Sequence, residues 1–364
     1  MKKEMTVRER MLCVYNNESP DKIPLGIYSG YLPRGQIERE VREKGLGIID
    51  FYPVVSMMAP PWHIGSGMLS EVKGAEMDIR YRWENGKMTE RRSFVTPVGT
   101  IYQEVCQDKN GVGSEHISKH YISDSEDYKI MQYLVENTVF RKNEETLKAR
   151  TRDLGEDGIV LGRIDRSPYQ KCLIELAGAE RFLVDLYTEP EPVLELLDAM
   201  GRKMDQAFEM MLESDIDVIW QPDNVTSDMT PPDNYEKFCM PLYNKYAEGI
   251  HGTGKRYVVH MDGRIKALCE KINQSGFDVI ESLSFPEIGG DYSMTEALAA
   301  FPGKAIAPNF PSNLCNESDA DIELYLRRLI GEIGAAPVML QVSEDIPVGE
   351  WQRVLPLLVK VFGE

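Results

Sequence analysis

Positive charge is scarce. The 364 residues carry 41 Lys and Arg against 59 Asp and Glu, a formal net charge of -18. Such a field repels phosphate backbones and anionic bilayers, so binding to nucleic acid or to a membrane surface is disfavoured. Long apolar runs are missing as well: no stretch approaches the ~18 residues that a membrane-spanning helix needs. The opening MKKEMTVRER is charged, and no apolar stretch that could serve as a secretory signal follows it. Cys13, Cys106, Cys172, Cys239, Cys269 and Cys315 are scattered, with no C-x-x-C pair. That excludes a disulfide scaffold and a cysteine-built zinc module, and it suits a reducing, cytoplasmic location. No short repeat or low-complexity tract occurs. With 42% hydrophobic and 27% charged residues, the chain can bury a sizeable core.

What recurs is a short apolar run followed by a helical pattern. The runs are KIPLGIY (22–28), IIDFYPVV (48–55), IVLGRID (159–165), IDVIWQP (216–222), KRYVVHM (255–261), FDVIESL (277–283), KAIAPNF (304–310) and PVMLQVS (337–343). Eight such strands alternating with amphipathic helices predict a parallel sheet, and eight units in a chain of this length suit a closed (β/α)8 TIM barrel as a single domain over residues 1–364. A doubly wound open sheet is the competing arrangement, but no Gly-rich phosphate loop follows the first strand. Residues 76–107 break the pattern. They alternate polar with apolar around ENGK, and Asn85-Gly86 is a strong turn signal, so an antiparallel β-hairpin is expected as an insertion after the second strand.

In a barrel, the C-terminal ends of all strands open on one mouth. The residues expected there are Tyr28, Tyr31, Trp62, His63, Asp165, Arg166, Asp223, Asn224, His260, Asp262, Glu281, Asn309 and Glu344. Four carboxylates, Asp223, Asp262, Glu281 and Glu344, would crowd one cleft around His260. Such a cluster needs a cation or shared protons to relieve the repulsion. A divalent metal held by His260 and carboxylates is one solution, with zinc the natural candidate; a cationic substrate is another. Each residue also has a plainer use. His260 can be a hydrogen-bonded structural residue, Asp223 a helix cap, Asp165 the partner of Arg166 in a rim ion pair, and the aromatic rings packing. If they are functional, Asp223, His260 and Glu344 are the expected catalytic groups. Tyr28, Trp62, Asp165, Trp220, Asn224 and Asn309 would then contact substrate.

Several segments resemble the uroporphyrinogen decarboxylase superfamily, in particular its corrinoid-dependent methyltransferase branch. DKIPLGIYSGYLP is similar to the family's first strand and TPVGTIYQEV to the hairpin of the methyltransferase-like branch. LIELAGAERFLVDLYTEPEPVLELLD is similar to its G-x-E-x-x-x-x-D helix pair, and TPPDNYEKFCMPLYNKY to its P-x-x-F-x-x-F-x-x-P-Y element. The resemblance implies the same barrel. The departures bear on activity. GIYSGYLPRG keeps the YLP of the decarboxylases' R-Q-A-G-R-Y-L-P loop but not its arginines, so an octa-carboxylate substrate is not expected. Zinc-dependent methyltransferases of the family carry H-x-C-G and a later Cys. Here His260 matches the His, Asp262 stands in the place of the first Cys, and Glu344 matches the last, with Glu281 a further candidate metal ligand.

Oxygen ligands leave zinc a harder Lewis acid than thiolates do, which suits polarising an ether oxygen. The resemblance therefore implies a methyltransferase that moves a methyl group from a small methylated, methoxylated donor to the cobalt of a separate corrinoid protein. A homodimer would be ordinary for the family. Three alternatives stay open: a metal-free lyase using Asp223, His260 and Glu344 as acid–base groups, a methylcorrinoid-to-thiol or tetrahydrofolate methyltransferase, and a barrel that only binds.

Overall fold

Period-two alternation within the short runs decides the architecture. A computed structural model describes residues 4–32, 35–53, 68–84, 86–108, 116–347 and 349–363. All eight expected strands are present, each within three residues of its expected ends: β1 (Leu25–Tyr28), β2 (Leu46–Pro53), β3 (Gly158–Arg163), β4 (Val218–Gln221), β5 (Arg256–His260), β6 (Val279–Leu283), β7 (Ala305–Pro308) and β8 (Leu340–Val342). They form one parallel sheet in the order β7-β6-β5-β4-β3-β2-β1-β8. Parallel bridges Ile306↔Val338 and Asn309↔Gln341 join its two ends and close the barrel.

The chain divides into two compact units. The first comprises Met1–Pro53, Glu144–Arg163 and Leu212–Glu364, and it contains all eight barrel strands. Inward positions fall into two tiers. Ile49, Ile159, Val218, Val258, Val279, Ala305 and Met339 share one apolar cluster with Met11, Val14 and Tyr15 of helix α1 (Val7–Tyr15). That helix starts on a capping box, in which Thr6 and Glu9 satisfy each other's backbone N–H groups. Each fully buried aliphatic side chain of the cluster contributes about 1.5–3 kcal/mol. Two residues further along the strands stand Phe51, Leu161, Trp220, His260, Glu281, Ala307 and Gln341. The inner tier is apolar, and the next one mixes apolar residues with His260, Glu281 and Gln341.

The second unit comprises Val54–Asn143 and Ile164–Met211. Its larger antiparallel sheet runs through Glu76–Glu84, Lys87–Thr96, Gly99–Asp108 and His116–Lys119. Glu84 pairs with Lys87, so the hairpin sits where Asn85-Gly86 predicts it, as the first half of a four-stranded meander. Phe94, Ile101 and Val105 are buried, whereas Tyr81 and Trp83 are exposed. Helix Ser125–Glu136, capped by Asp124, supplies buried Tyr128, Ile130 and Met131 to this unit's core. No helix among the described residues is long and apolar enough to cross a membrane.

Candidate active site

The strand ends of the first unit bring six of the expected residues together. Glu281 on β6 is fully buried, and both of its oxygens are engaged. The Trp220 indole N–H on β4 donates to Oε2 at 2.8 Å, and the Tyr28 hydroxyl on β1 donates to Oε1. His260 on β5 places Nδ1 2.6 Å from Oε2. The other ring nitrogen, Nε2, lies 3.4 Å from Asp262 Oδ2. Asn224 donates to the same Asp262 oxygen at 2.6 Å, from a left-handed backbone (φ 51°) that asparagine tolerates. Ser284 donates to the Asp262 carbonyl at 2.8 Å. Gly263 is required next in sequence, because a Cβ there would lie 2.3 Å from Thr226 Cβ.

Electrostatics follow from this geometry. Burial pushes the His260 imidazolium pKa down, but the Glu281 charge and hydrogen bonds to Asp262 and Glu281 outweigh it, raising the pKa from 6.5 to about 10. Burial pushes the Asp262 carboxyl up, yet its hydrogen bond to His260 and the imidazolium charge leave it below the usual carboxylate range. Glu344 is raised, chiefly by burial and then by the Asp262 charge. Tyr28 is held protonated by burial and by the Glu281 charge.

Aromatic rings wall the site. Tyr28 meets Phe51 edge-on at 4.7 Å and stacks with Tyr31 at 5.9 Å; Phe51 lies 4.4 Å from Trp220, and Trp220 lies 5.8 Å from the His260 ring. Phe51 was not among the expected site residues. Its place two positions beyond Ile49 in β2, on the inward face, is the signal that finds it.

Other expected residues have partners of their own. Asp223 is fully buried and accepts from the Tyr243 hydroxyl of helix α2 (Met240–Gly252) at 2.6 Å. Tyr243 in turn packs on Tyr257, which alternates with His260 along β5, so Asp223 belongs to the layer between sheet and helix. Asp165 lies in the second unit, where Lys171 Nζ contacts it at 2.9 Å and Glu175 at 2.6 Å. The Arg166 side chain pairs with Glu175 at 2.8 Å, and its backbone N–H donates to Asp165 Oδ1 at 2.8 Å. Asn309 is fully buried beside Ser343, whose N–H its Oδ1 accepts at 3.2 Å. Trp62 and His63 lie outside the described residues.

The chemistry of the donor set suits a divalent metal in part. Glu281 on Nδ1 fixes the His260 ring as the outer carboxylate of a metal-bound histidine does, leaving Nε2 and Asp262 as neighbouring donors with Glu344 close in charge. Among the described residues, no three His, Cys, Asp or Glu side chains already converge as a bound metal would require.

The uroporphyrinogen decarboxylase family matches residues 172–332. The matched segment carries strands β4 to β7 of the barrel. Trp220, His260, Asp262, Glu281 and Asn309 fall inside the matched segment, while Tyr28 and Glu344 fall outside it. Among solved structures, a methyltransferase from Methanosarcina mazei is similar with a TM-score of 0.57 and 14% identity, covering 99% of this chain and 98% of that one. At that identity the likeness shows a shared fold. A xylose isomerase domain protein from Planctomyces limnophilus is more distant, with a TM-score of 0.39 and 12% identity over 93% of this chain and 96% of that one. No curated protein matches the sequence.

Proposed function

We propose that this protein is a methyltransferase of the uroporphyrinogen decarboxylase superfamily, and that it takes a methyl group from a small methoxylated donor and passes it to the cobalt of a separate corrinoid protein. His260, Asp262 and Glu344 would hold a divalent metal, zinc by preference. The observation that carries the reading is the two-sided setting of His260, with Nδ1 on buried Glu281 at 2.6 Å and Nε2 directed to Asp262 at 3.4 Å. A metal bound by one nitrogen and two oxygens would supply Lewis acidity to the donor's ether oxygen.

The protein's own groups do the rest. Glu281, anchored by Trp220 and Tyr28, fixes the ring and its tautomer; with both oxygens engaged, it acts by positioning and is left out of the proposed donor set. Asn224 and Ser284 hold the Asp262 turn. Tyr28, Phe51 and Trp220 offer an apolar wall to the donor's body and keep water from the reacting methyl group. The similarity in fold to a methyltransferase supports this reading, as do the motifs shared with that branch.

The test is the metal content of untagged protein purified without added metal, followed by methyl transfer to cobalt(I) corrinoid. About one metal per chain is expected, lost in His260→Ala and in Glu344→Ala. Metal-free protein that turns over alone would instead support a lyase. One observation favours that second reading: flanked by Glu281 and Asp262, the His260 side chain is an imidazolium at neutral pH and could act as a general acid.

A further inference from the structure

Two buried amides in the barrel have no part in the scheme above. Gln341 on β8 is fully buried, and neither its Nε2 nor its Oε1 has a hydrogen-bond partner. Asn309, at the end of β7, is equally buried; its Oδ1 is taken by the Ser343 N–H, while its Nδ2 has no partner. The two residues face each other across the bridge that closes the barrel. Met339 lines the interior, so Gln341, two residues on, points the same way, and Asn309 stands in the same relation to Ala307. On the other side of Gln341, its register partner on β1 is Gly26, which has no side chain to offer. Buried amides are almost always paired, because stripping them of water without replacement is unfavourable.

We propose that Gln341 and Asn309 recognise an uncharged hydroxyl group on the methyl donor. This assignment rests on the reading of the barrel as a methyl-donor site. The pair presents two NH2 donors and one carbonyl acceptor. A hydroxyl complements that set, since it gives one hydrogen to the Gln341 carbonyl and accepts from both amide nitrogens. Rotating the Gln341 amide exchanges its atoms but leaves the count unchanged. A carboxylate offers nothing to the carbonyl and would add negative charge to a barrel that already buries Glu281. An ammonium cannot accept from either NH2. Ser343 locks the Asn309 side chain through its N–H, and its hydroxyl meets Ser282 at 2.9 Å, so the pair is held in place before any ligand arrives. A site built to pair a hydroxyl rejects an analogue that lacks it, because its own polar groups are then left bare.

Direct binding tests this without depending on turnover. The three methoxyphenol isomers and methoxybenzene are titrated calorimetrically into the full chain and into Gln341→Met, which conserves volume. Asn309→Asp, which keeps the acceptor for Ser343, is a second variant. At least one methoxyphenol is expected to bind about tenfold or more tighter than methoxybenzene to the wild type. That advantage should vanish in Gln341→Met, with methoxybenzene binding unchanged. Equal affinity for all four probes, binding of none, or an advantage that survives both variants would overturn the assignment and leave the amides holding internal water. Hydroxyl-dependent binding without methyl transfer would sustain the amide site and sink the proposed reaction. Methyl transfer without hydroxyl discrimination would do the reverse.

Discussion

His260 and Glu281 form the central pair of the site: Nδ1 lies 2.6 Å from Oε2, deep in a barrel where Glu281 has no exposure to solvent. A charge pair in such a place is favourable only because Trp220 and Tyr28 satisfy the remaining lone pairs of the carboxylate. The ring is thereby fixed, and Nε2 is the atom left to do chemistry.

That pairing makes stability depend on pH. The His260 pKa is raised from 6.5 to about 10, so its contribution is fully present below pH 6.5 and is lost as the pH climbs through about 10. Chelator-treated wild type should show a falling urea midpoint across that window. His260→Gln, with nothing to titrate there, should start lower and show a flatter profile. A wild-type profile as flat as the variant's would mean that the pair does not form.

Metal uptake should carry the opposite pH dependence. A metal at Nε2 must displace a proton that Asp262 and Glu281 help to retain, so the apparent affinity is expected to rise about tenfold per pH unit up to the histidine pKa. Competition against a chelator between pH 6 and 9 measures it, and the conclusion is read from the slope. A slope near zero would place the metal away from His260.

Glu281→Gln separates positioning from ligation. Glutamine offers one acceptor oxygen where three donors now converge, so one of Trp220, Tyr28 and His260 is left facing an NH2 group. The expected loss is about 1–3 kcal/mol of stability. The His260 proton resonances should also titrate well below their wild-type midpoint. If Glu281 were itself a ligand, bound metal would disappear outright in this variant; a weakened but stoichiometric site is expected instead.

Much of this arrangement was legible in the sequence, and the parts that were not have a common cause. Alternation along short apolar runs located all eight strands, and the rule that strand ends share one mouth brought Tyr28, Trp220, His260, Asp262 and Glu281 to the same place. Those inferences need only local pattern and topology. The fates of Asp165 and Asp223 depend on partners that local pattern does not reveal. Lys171 lies one turn into the next helix, and Tyr243 comes from α2, twenty residues downstream. The left-handed Ser282 in β6 (φ 60°) likewise had no glycine or asparagine to announce it. Gln341 could have been found by the alternation that placed Met339 inside, but a glutamine in a strand does not advertise unpaired amide atoms.

Gly263 tests whether the turn after β5 sets the position of Asp262. A Cβ at residue 263 would sit 2.3 Å from Thr226 Cβ and 3.1 Å from Thr226 Cα, too close for side-chain rotation alone to relieve. Gly263→Ala must therefore push apart the two loops that carry Asn224 and Asp262, whose side chains meet at 2.6 Å. Overpacking of this kind costs about 1–3 kcal/mol. The sharper consequence is functional: with Asp262 displaced from His260 Nε2, metal affinity and methyl transfer should both fall more than the loss of stability explains. Thr226→Gly in the same chain removes the two nearest opposing atoms, Cβ and Oγ1, and should restore most of the metal affinity. If Gly263→Ala retains full metal binding, Asp262 is not a ligand, and His260 must find its partner in Glu344 alone.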